Sequence, residues 1–77
     1  MTTLYRIDPS RNMRRFYRLD IQRDLFGEWT MTREWGRIGR RGQLRAESFQ
    51  SEQEAIEALK SQFLKKSKRG YVNLDVD

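Results

Sequence analysis

Apolar and polar residues alternate with a period of two over most of the first fifty positions. Four segments show this alternation: TLYRID (3–8), RRFYRLDIQ (14–22), EWTMTREW (28–35) and QLRAESF (43–49). Successive side chains of a strand point to opposite faces, so this period predicts four half-buried strands. Turn-forming stretches separate the segments: PSRN (9–12), RDLFG (23–27) and the glycine-arginine stretch after Trp35. Short connections of this kind favour antiparallel hairpins.

The third segment has a face that changes character along its length. Trp29 and Met31 share that face with Arg33 and Trp35. The face begins apolar and ends with a cation beside an aromatic ring. We therefore expect the buried end of this strand near Trp29 and the rim of the domain near Trp35.

A helix is predicted after the fourth segment. Ser51 is followed three residues later by Glu54, which is the capping-box pattern. Acidic residues occupy the first turns and lysines the last, as the helix dipole favours. An apolar stripe falls at helical spacing: Ala55, Ile56, Leu59 and Phe63. Gly70 is a plausible helix stop.

The residues after Gly70, YVNLDV, alternate again and predict a short final strand at the sheet edge. The fold class is therefore α+β: an antiparallel sheet of four to five strands with one α-helix packed across one face. The chain has 77 residues, which predicts a single domain over residues 1–77.

The charge balance points to a polyanionic partner. The chain has sixteen basic residues, twelve of them arginine, and eleven acidic residues, which gives a net charge of +5. Such a balance suits nucleic acid or another anionic surface; a solvated basic surface without a partner is the alternative. The chain has neither cysteine nor histidine. Without the commonest general base and metal ligands, we expect no enzyme activity, no metal and no cofactor.

Membrane insertion and export are not expected. No apolar run approaches the length of about twenty residues that spans a bilayer. The N-terminal residues MTTLYRIDPS lack the apolar core of a signal peptide. We expect a cytoplasmic monomer.

The stretch REWGRIGRRG (33–42) combines flexible backbone, dense positive charge and an aromatic ring. It matches neither the dinucleotide-binding nor the P-loop glycine pattern, and it joins two strands. Backbone N–H groups and guanidinium groups of such a hairpin can converge on an anion. Further cations occur in RNMRRFYR (11–18) and KKSKRGY (65–71). The candidate binding residues are Trp35, Gly36, Arg37, Gly39, Arg40, Arg41 and Lys68.

Each feature also has a purely structural explanation, and the sequence leaves both open. The three glycines could serve turn geometry alone, Arg40 and Arg41 could be a solvated hairpin tip, and Trp35 could belong to the core. Five arginines between positions 33 and 45 repel one another, however, and a bound anion would relieve that repulsion.

The letters Trp35-Gly36-Arg37 resemble the triplet that names the WGR domain family. The similarity extends to the aromatic pair Phe16-Tyr17, to EWTMTREWGRIGRRGQ (28–43) and to SFQSEQEAIEALKSQFLKKSKRGY (48–71), and so covers about residues 13–73. The resemblance implies an antiparallel sheet crossed by a helix. The family occurs in DNA-damage-dependent poly(ADP-ribose) polymerases, in bacterial regulators and in short bacterial proteins.

The resemblance also implies a role for two residues. In the polymerases the motif tryptophan stacks on a terminal DNA sugar and the motif arginine lies at the same interface; by position these roles fall on Trp35 and Arg37. The zinc fingers and transferase domain of those enzymes are not found in this sequence.

Two functions follow as hypotheses. The first is a non-catalytic nucleic-acid-binding module, for DNA rather than RNA, that recognises ends, nicks or single-stranded features. Neutralising four to six phosphates would give a slope of log K against log salt of roughly −4 to −5. The second is a protein-interaction module that docks on an acidic partner, with Trp35 and Arg37 as anchors.

Overall fold

The structure, a computed structural model, describes residues 1–73 and contains five strands and one α-helix. The strands are β1 (Thr2–Asp8), β2 (Met13–Arg23), β3 (Trp29–Arg37), β4 (Gln43–Phe49) and β5 (Val72–Asn73). The helix α1 spans Glu52–Lys68, and a 3₁₀ turn, Pro9–Arg11, joins β1 to β2. The strands are antiparallel and lie in the order β4-β3-β2-β1-β5.

The predicted fold class is confirmed. The first four strands form a meander, because each hairpin connection is short enough to return the chain beside the strand that it leaves. The predicted final strand pairs with β1 at the sheet edge, with Tyr5 opposite Val72. Residues 74–76 of that predicted strand lie outside the described residues. No helix within residues 1–73 is long and apolar enough to cross a bilayer.

Strand register fixes which side chains face the helix. Leu4 lies opposite Tyr17, and Tyr17 lies opposite Trp35, so all three share one face of the sheet. The core consists of Leu4, Tyr17, Leu19 and Tyr71, against which Trp35, Leu59 and Phe63 pack. We call this side of the sheet the helix face and the other side the open face.

The helix packs through a narrower stripe than the sequence predicted. Ala55 is fully buried, and Leu59 and Phe63 pack against the core. Ile56, which was expected in the stripe, is 36% exposed. Successive helical positions are about 100° apart, so Ile56 lies to one side of the line through Ala55, Leu59 and Phe63.

Both helix ends are closed by local hydrogen bonds. The Ser51 hydroxyl accepts a hydrogen bond from the Glu54 N–H at 3.2 Å, as the capping pattern predicted. At the other end Gly70 has φ +92° and its N–H donates to the Ser67 carbonyl. The Tyr71 N–H donates to the Lys66 carbonyl at 3.0 Å, which completes a Schellman motif. This motif turns the chain so that Tyr71 enters the core.

The expected burial gradient along β3 is wrong. Met31 is the buried residue of this strand, at 1% exposure, and Trp29 is only half-buried beside Arg23. Trp35, expected at the rim, packs against the core because the C-terminal half of the helix crosses the sheet at that level. Tertiary packing, which strand alternation does not record, therefore decides the burial of these side chains.

Candidate nucleic-acid interface

The hairpin between β3 and β4 is tied to its neighbouring strand. The Arg40 N–H donates to the Arg37 carbonyl at 3.1 Å, and Gly39 has φ +86° at the third position of that turn. A positive φ there is typical of type II turns and favours glycine. The Ile38 N–H donates to the Arg14 carbonyl at 2.8 Å, which holds the start of the hairpin against β2.

Gly36 and Gly42 pack against each other at the base of the hairpin. A Cβ atom at Gly36 would lie 2.9 Å from Cα of Gly42. A Cβ atom at Gly42 would overlap the Trp35 carbonyl and lie 2.9 Å from Cζ of Phe16. Close intramolecular packing therefore explains these two glycines, whereas the structural alternative raised from the sequence was turn geometry. Gly39 has open space around it.

Trp35 lies between two clefts on the helix face. Its ring stacks on Tyr17 with a centroid distance of 6.1 Å and an interplanar angle of 26°. The side chain is half-buried and lines both clefts. Tyr17 in turn meets Tyr71 edge to face at 6.3 Å. The aromatic side chains thus hold the tryptophan ring firmly while part of it faces each cleft.

The first cleft lies between the sheet and the last turns of the helix. Its volume is about 350 Å³. Its lining residues are Tyr17, Arg33, Trp35, Gln62, Lys65, Lys66 and Arg69. Four of these side chains are basic, and no carboxylate is among them, so an anion entering this cleft meets positive charge from both the strand and the helix.

The second cleft lies on the other side of Trp35 and has a volume of about 490 Å³. Its lining residues are Arg15, Trp35, Gly36, Arg37, Lys66 and Tyr71. Lys66 therefore belongs to both clefts. Together they form a continuous basic and aromatic surface around Trp35, which we call the tryptophan clefts.

Lys66 is the central cation of this surface. Its Nζ lies 4.6 Å from the ring centroid of Tyr17 and 5.5 Å from that of Tyr71. Burial lowers the pKa of Lys66 below its ordinary value, and the nearby charges of Arg69, Arg33 and Arg15 lower it further. The quadrupoles of the rings favour the ammonium form and partly offset these effects. An anion in the cleft would also favour the charged lysine.

Arg33 has a largely buried side chain beside the first cleft. Its side chain is 15% exposed, and its Nη2 donates to Oε1 of Glu47 at 2.9 Å. Its Nε is buried without a hydrogen-bond partner among the described residues. A buried N–H without a partner carries a desolvation cost. The group is therefore fixed in position by Glu47, and its Nε is a buried donor without a partner among the described residues.

Arg37, the arginine of the motif, is held by the turn between β1 and β2. Its Nη1 donates to the backbone carbonyl of Asn12 at 3.1 Å, and its Nη2 donates to Oδ1 of the same residue at 3.3 Å. Asn12 has φ +51°, a left-handed conformation that asparagine tolerates well. The conformation of this turn thus orients the Arg37 guanidinium beside the second cleft.

Three arginines lie side by side across the sheet. Arg6 is opposite Arg15, and Arg15 is opposite Arg37, so all three start from the helix face. Like charges directly opposite one another destabilise a sheet. Arg33 and Arg45 form a second such pair. Strand pairing therefore places arginines of neighbouring strands next to one another on the helix face.

The structure brings only some of the predicted site residues together. Trp35, Gly36 and Arg37 line the second cleft. Gly39 and Arg40 line a hollow on the open face, and Arg41 is exposed at the hairpin tip. Lys68 is exposed in the last helical turn and lines neither cleft. Helix geometry explains this, because Lys68 lies five positions beyond Phe63 and thus off the packed stripe.

Several residues of the clefts were not predicted. The lining residues that were not among the sequence candidates are Arg15, Tyr17, Arg33, Gln62, Lys65, Lys66, Arg69 and Tyr71. Six of these eight belong to the stretches 11–18 and 65–71, which were noted in the sequence for their cations. Extending the helix stripe from Leu59 through Gln62 to Lys66 and Arg69 would have identified the helical cations, because these positions lie three, four and seven residues apart. The alignment of Arg15 with Arg37 depends on strand register, which cannot be predicted from either residue alone.

Comparison with known proteins identifies the family. The model of the WGR domain matches residues 1–76. The chain is also 44% identical over 66 residues to the uncharacterized protein y4dW of Sinorhizobium fredii (strain NBRC 101917 / NGR234), a match that covers 86% of this chain. The matched segment spans 32% of that relative, about a third of its length. No solved structure matches.

WGR domains are non-catalytic modules that in general bind nucleic acids. The triplet Trp35-Gly36-Arg37, the antiparallel sheet and the helix across it agree with the match to this family. The chain belongs to the WGR domain family.

Proposed function

We propose that this chain binds DNA through the tryptophan clefts and recognises ends, nicks or single-stranded features. The observation that carries the proposal is the set of basic side chains around one half-buried tryptophan, without a carboxylate among the lining residues. These cations are Arg15, Arg33, Arg37, Lys65, Lys66 and Arg69. The hairpin residues Gly39, Arg40 and Arg41 and the helical Lys68 are not part of this surface.

The charge arrangement suits a phosphate backbone. Strands lie about 4.8 Å apart, so the row Arg6, Arg15 and Arg37 extends over about 10 Å of the sheet. The helix adds Lys65, Lys66 and Arg69 on the facing wall. Neutralising phosphates with these groups releases counterions and also removes the repulsion between neighbouring arginines.

Trp35 is the reason why we expect a preference for ends, nicks and single strands. A flat ring fixed on Tyr17 can stack on a base or a sugar, but the bases inside a continuous duplex are already stacked on one another. Ends, nicks and single strands leave such faces uncovered. Since the lining residues belong to a sheet and the side of a helix, base-edge readout in the major groove is not expected, and sequence preference should be weak.

The first experiment compares fluorescence anisotropy of labelled blunt duplex, nicked duplex, single-stranded DNA, an end-free closed duplex and single-stranded RNA over a salt series. We expect binding that prefers free ends, nicks or single strands over the closed duplex. The slope of log K against log salt should be roughly −4 to −5. Trp35→Ala should abolish the preference more than the affinity for the closed duplex.

A matched pair of variants tests whether DNA binds at the tryptophan clefts. Lys65→Ala and Lys68→Ala remove the same charge from the same helical turn, but only Lys65 lines a cleft. Lys65→Ala should weaken binding and reduce the salt slope by about one, whereas Lys68→Ala should change both less. Equal effects of the two substitutions, with Trp35→Ala inert, would leave only non-specific attraction. No binding at low salt would overturn the proposal.

A further inference from the structure

The hollow on the open face of the sheet, which Gly39 and Arg40 line, is not used in the DNA proposal. Its volume is about 220 Å³. Its lining residues are Tyr5, Phe16, Arg18, Glu34, Ile38, Gly39 and Arg40. An antiparallel sheet with one solvated face usually presents polar side chains on that face. Here Tyr5, Phe16 and Ile38 line the hollow together with three charged side chains.

The apolar area continues beyond the hollow. Tyr5 lies beside Val72 of β5 in the strand register, and Phe16 of β2, which is only 7% exposed, lies on its other side. Ile7 follows on the same face of β1 and is 53% exposed, as is Val72. Exposed apolar residues that adjoin one another in this way are typical of interaction sites, whereas isolated ones are common on any surface.

Arginines surround this apolar area. Arg40 lines the hollow, and Arg14 lies opposite Ile7 in the register. Neither makes an ion pair within residues 1–73. Among the described residues the acidic group that lines the hollow is Glu34, which Arg18 already holds at 2.5 Å. In the part of the chain that the structure describes, Arg14 and Arg40 therefore present positive charge without an ion-pair partner beside the exposed Ile7 and Val72.

We infer that the open face docks an acidic amphipathic protein segment, whose apolar side chains enter the hollow while its carboxylates meet Arg14 and Arg40. Burial of the apolar side chains would supply affinity, and the arginine rim would select acidic over basic partners. This inference is independent of the DNA proposal, because the two surfaces lie on opposite faces of one sheet.

Two other occupants fit the surface less well. A second copy of the chain would bring its own Arg14 and Arg40 against those of the first, and each copy carries a net charge of +5. A nucleic-acid base would need a free aromatic face. Phe16 is only 7% exposed, with the Arg18 guanidinium 5.2 Å from its ring centroid and Gly36 and Gly42 packed beside it.

The test is a selection from an mRNA-displayed library of random peptides against the immobilised chain. We expect enriched peptides that combine apolar residues with an excess of Asp and Glu. Ile7→Ser should weaken their binding by about tenfold or more, measured by fluorescence anisotropy of labelled selected peptides. Since Ile7 is largely exposed, this variant should keep the wild-type circular dichroism spectrum.

Adjacent arginines provide the matched control. Arg40→Ala should weaken the selected peptides more than Arg41→Ala, because only Arg40 lines the hollow. Trp35→Ala should leave their binding unchanged. Failure to enrich any peptide, enrichment of basic peptides, or indifference to both Ile7→Ser and Arg40→Ala would overturn the inference. Loss of peptide binding in Trp35→Ala would overturn the inference as well. So would binding of single-stranded DNA that is weakened by Ile7→Ser and not by Trp35→Ala.

Discussion

Gly42 illustrates how a single residue sets the hairpin. Alanine there would drive its Cβ into the Trp35 carbonyl and against Phe16, and backbone atoms cannot move aside as a flexible side chain can. We expect Gly42→Ala to lower the free energy of unfolding by about 2 kcal/mol or more. Gly39→Ala is the control: its φ of +86° is strained for alanine but nothing obstructs the new Cβ, so a loss of about 1 kcal/mol is expected.

Urea denaturation of the three proteins measures this difference. A Gly42→Ala variant as stable as Gly39→Ala would contradict the close packing of Gly36 and Gly42. The comparison also separates close packing from turn conformation as the reason for glycine at position 42, because a glycine needed only for its turn conformation should cost no more than Gly39 does.

Lys66 makes stability depend on pH in a predictable direction. Its folded-state pKa is lowered, chiefly by burial, so the folded protein binds the proton less tightly than the unfolded chain. Between the lowered pKa and the ordinary value of 10.5 the unfolded state holds more protons, and stability attributable to Lys66 rises with pH. The penalty of the charged amine is therefore complete below the lowered pKa and disappears as the pH rises to 10.5.

Lys66→Met tests this linkage. The variant should gain stability relative to wild type near pH 7, and the gain should shrink by about pH 9.5. Urea denaturation at both pH values measures the difference, and comparison with wild type cancels the titration of the tyrosines and other lysines. A gain that is constant or grows with pH would show that the environment of the lysine favours its charged form. The same variant should bind DNA less tightly.

At this scale the sequence identified some residues and missed others. Trp35 and Arg37 stand out because they belong to a recognisable triplet, and both line the second cleft. Asn12 carries no such signal, although it holds Arg37 through two hydrogen bonds. Asn12 and Arg37 are 25 residues apart and come together only because β2 and β3 are paired, which the identity of neither residue predicts.

The secondary-structure elements were predicted from the sequence more accurately than the burial of individual side chains. The helix begins after Ser51, whose hydroxyl accepts the Glu54 N–H, and the glycine stop is realised as a Schellman motif. These signals are local, because the groups involved lie within six residues of one another. The burial of Trp29 and Ile56 was predicted wrongly, and that of Trp35 was left open, because burial depends on where the helix crosses the sheet.

The helix cap can be tested with a serine pair. Ser51→Ala removes the acceptor for the Glu54 N–H and should lower the free energy of unfolding by about 1 kcal/mol. Ser61→Ala changes an exposed position inside the same helix and should be neutral or slightly stabilising, since alanine has the higher helix propensity. Thermal denaturation followed by circular dichroism measures both. Equal effects would mean that the cap contributes nothing.

The turn between β2 and β3 offers a second element-scale test. One carboxylate oxygen of Asp24 accepts from the N–H groups of Phe26 and Glu28, both at 2.9 Å, whereas Leu25 and Phe26 are almost fully exposed. Asp24→Ala should therefore cost about 1 kcal/mol. Phe26→Ser should change stability by no more than about 0.5 kcal/mol. A large loss in urea denaturation for Phe26→Ser would show that this ring packs on the fold.

For the molecule as a whole, the sheet separates two surfaces. The tryptophan clefts lie on the helix face and the hollow with Arg40 on the open face. Ile7→Ser should leave DNA affinity and its salt slope unchanged, and Trp35→Ala should lower DNA affinity with the fold intact. Anisotropy and circular dichroism on the two variants test this. Loss of DNA binding in Ile7→Ser would mean that one surface serves both ligands.

The sequence by itself determined the strands, the helix and its ends, the fold class and the basic character of the chain. These depend on periodicity, local hydrogen bonding and composition, all of which are written in short stretches. Tertiary structure alone decided which cations meet. Strand register brings Arg15 beside Arg37, and the helix crossing adds Lys66 and Arg69 to Trp35.

Tertiary structure also divided a stretch that reads as one cluster in the sequence. Arg37 and Arg40 are three residues apart, yet Arg37 lines the helix face and Arg40 the open face. The physical reason is that Arg37 ends β3 on the helix face, whereas Arg40 lies beyond the turn that its N–H closes with the Arg37 carbonyl, with Gly39 at positive φ.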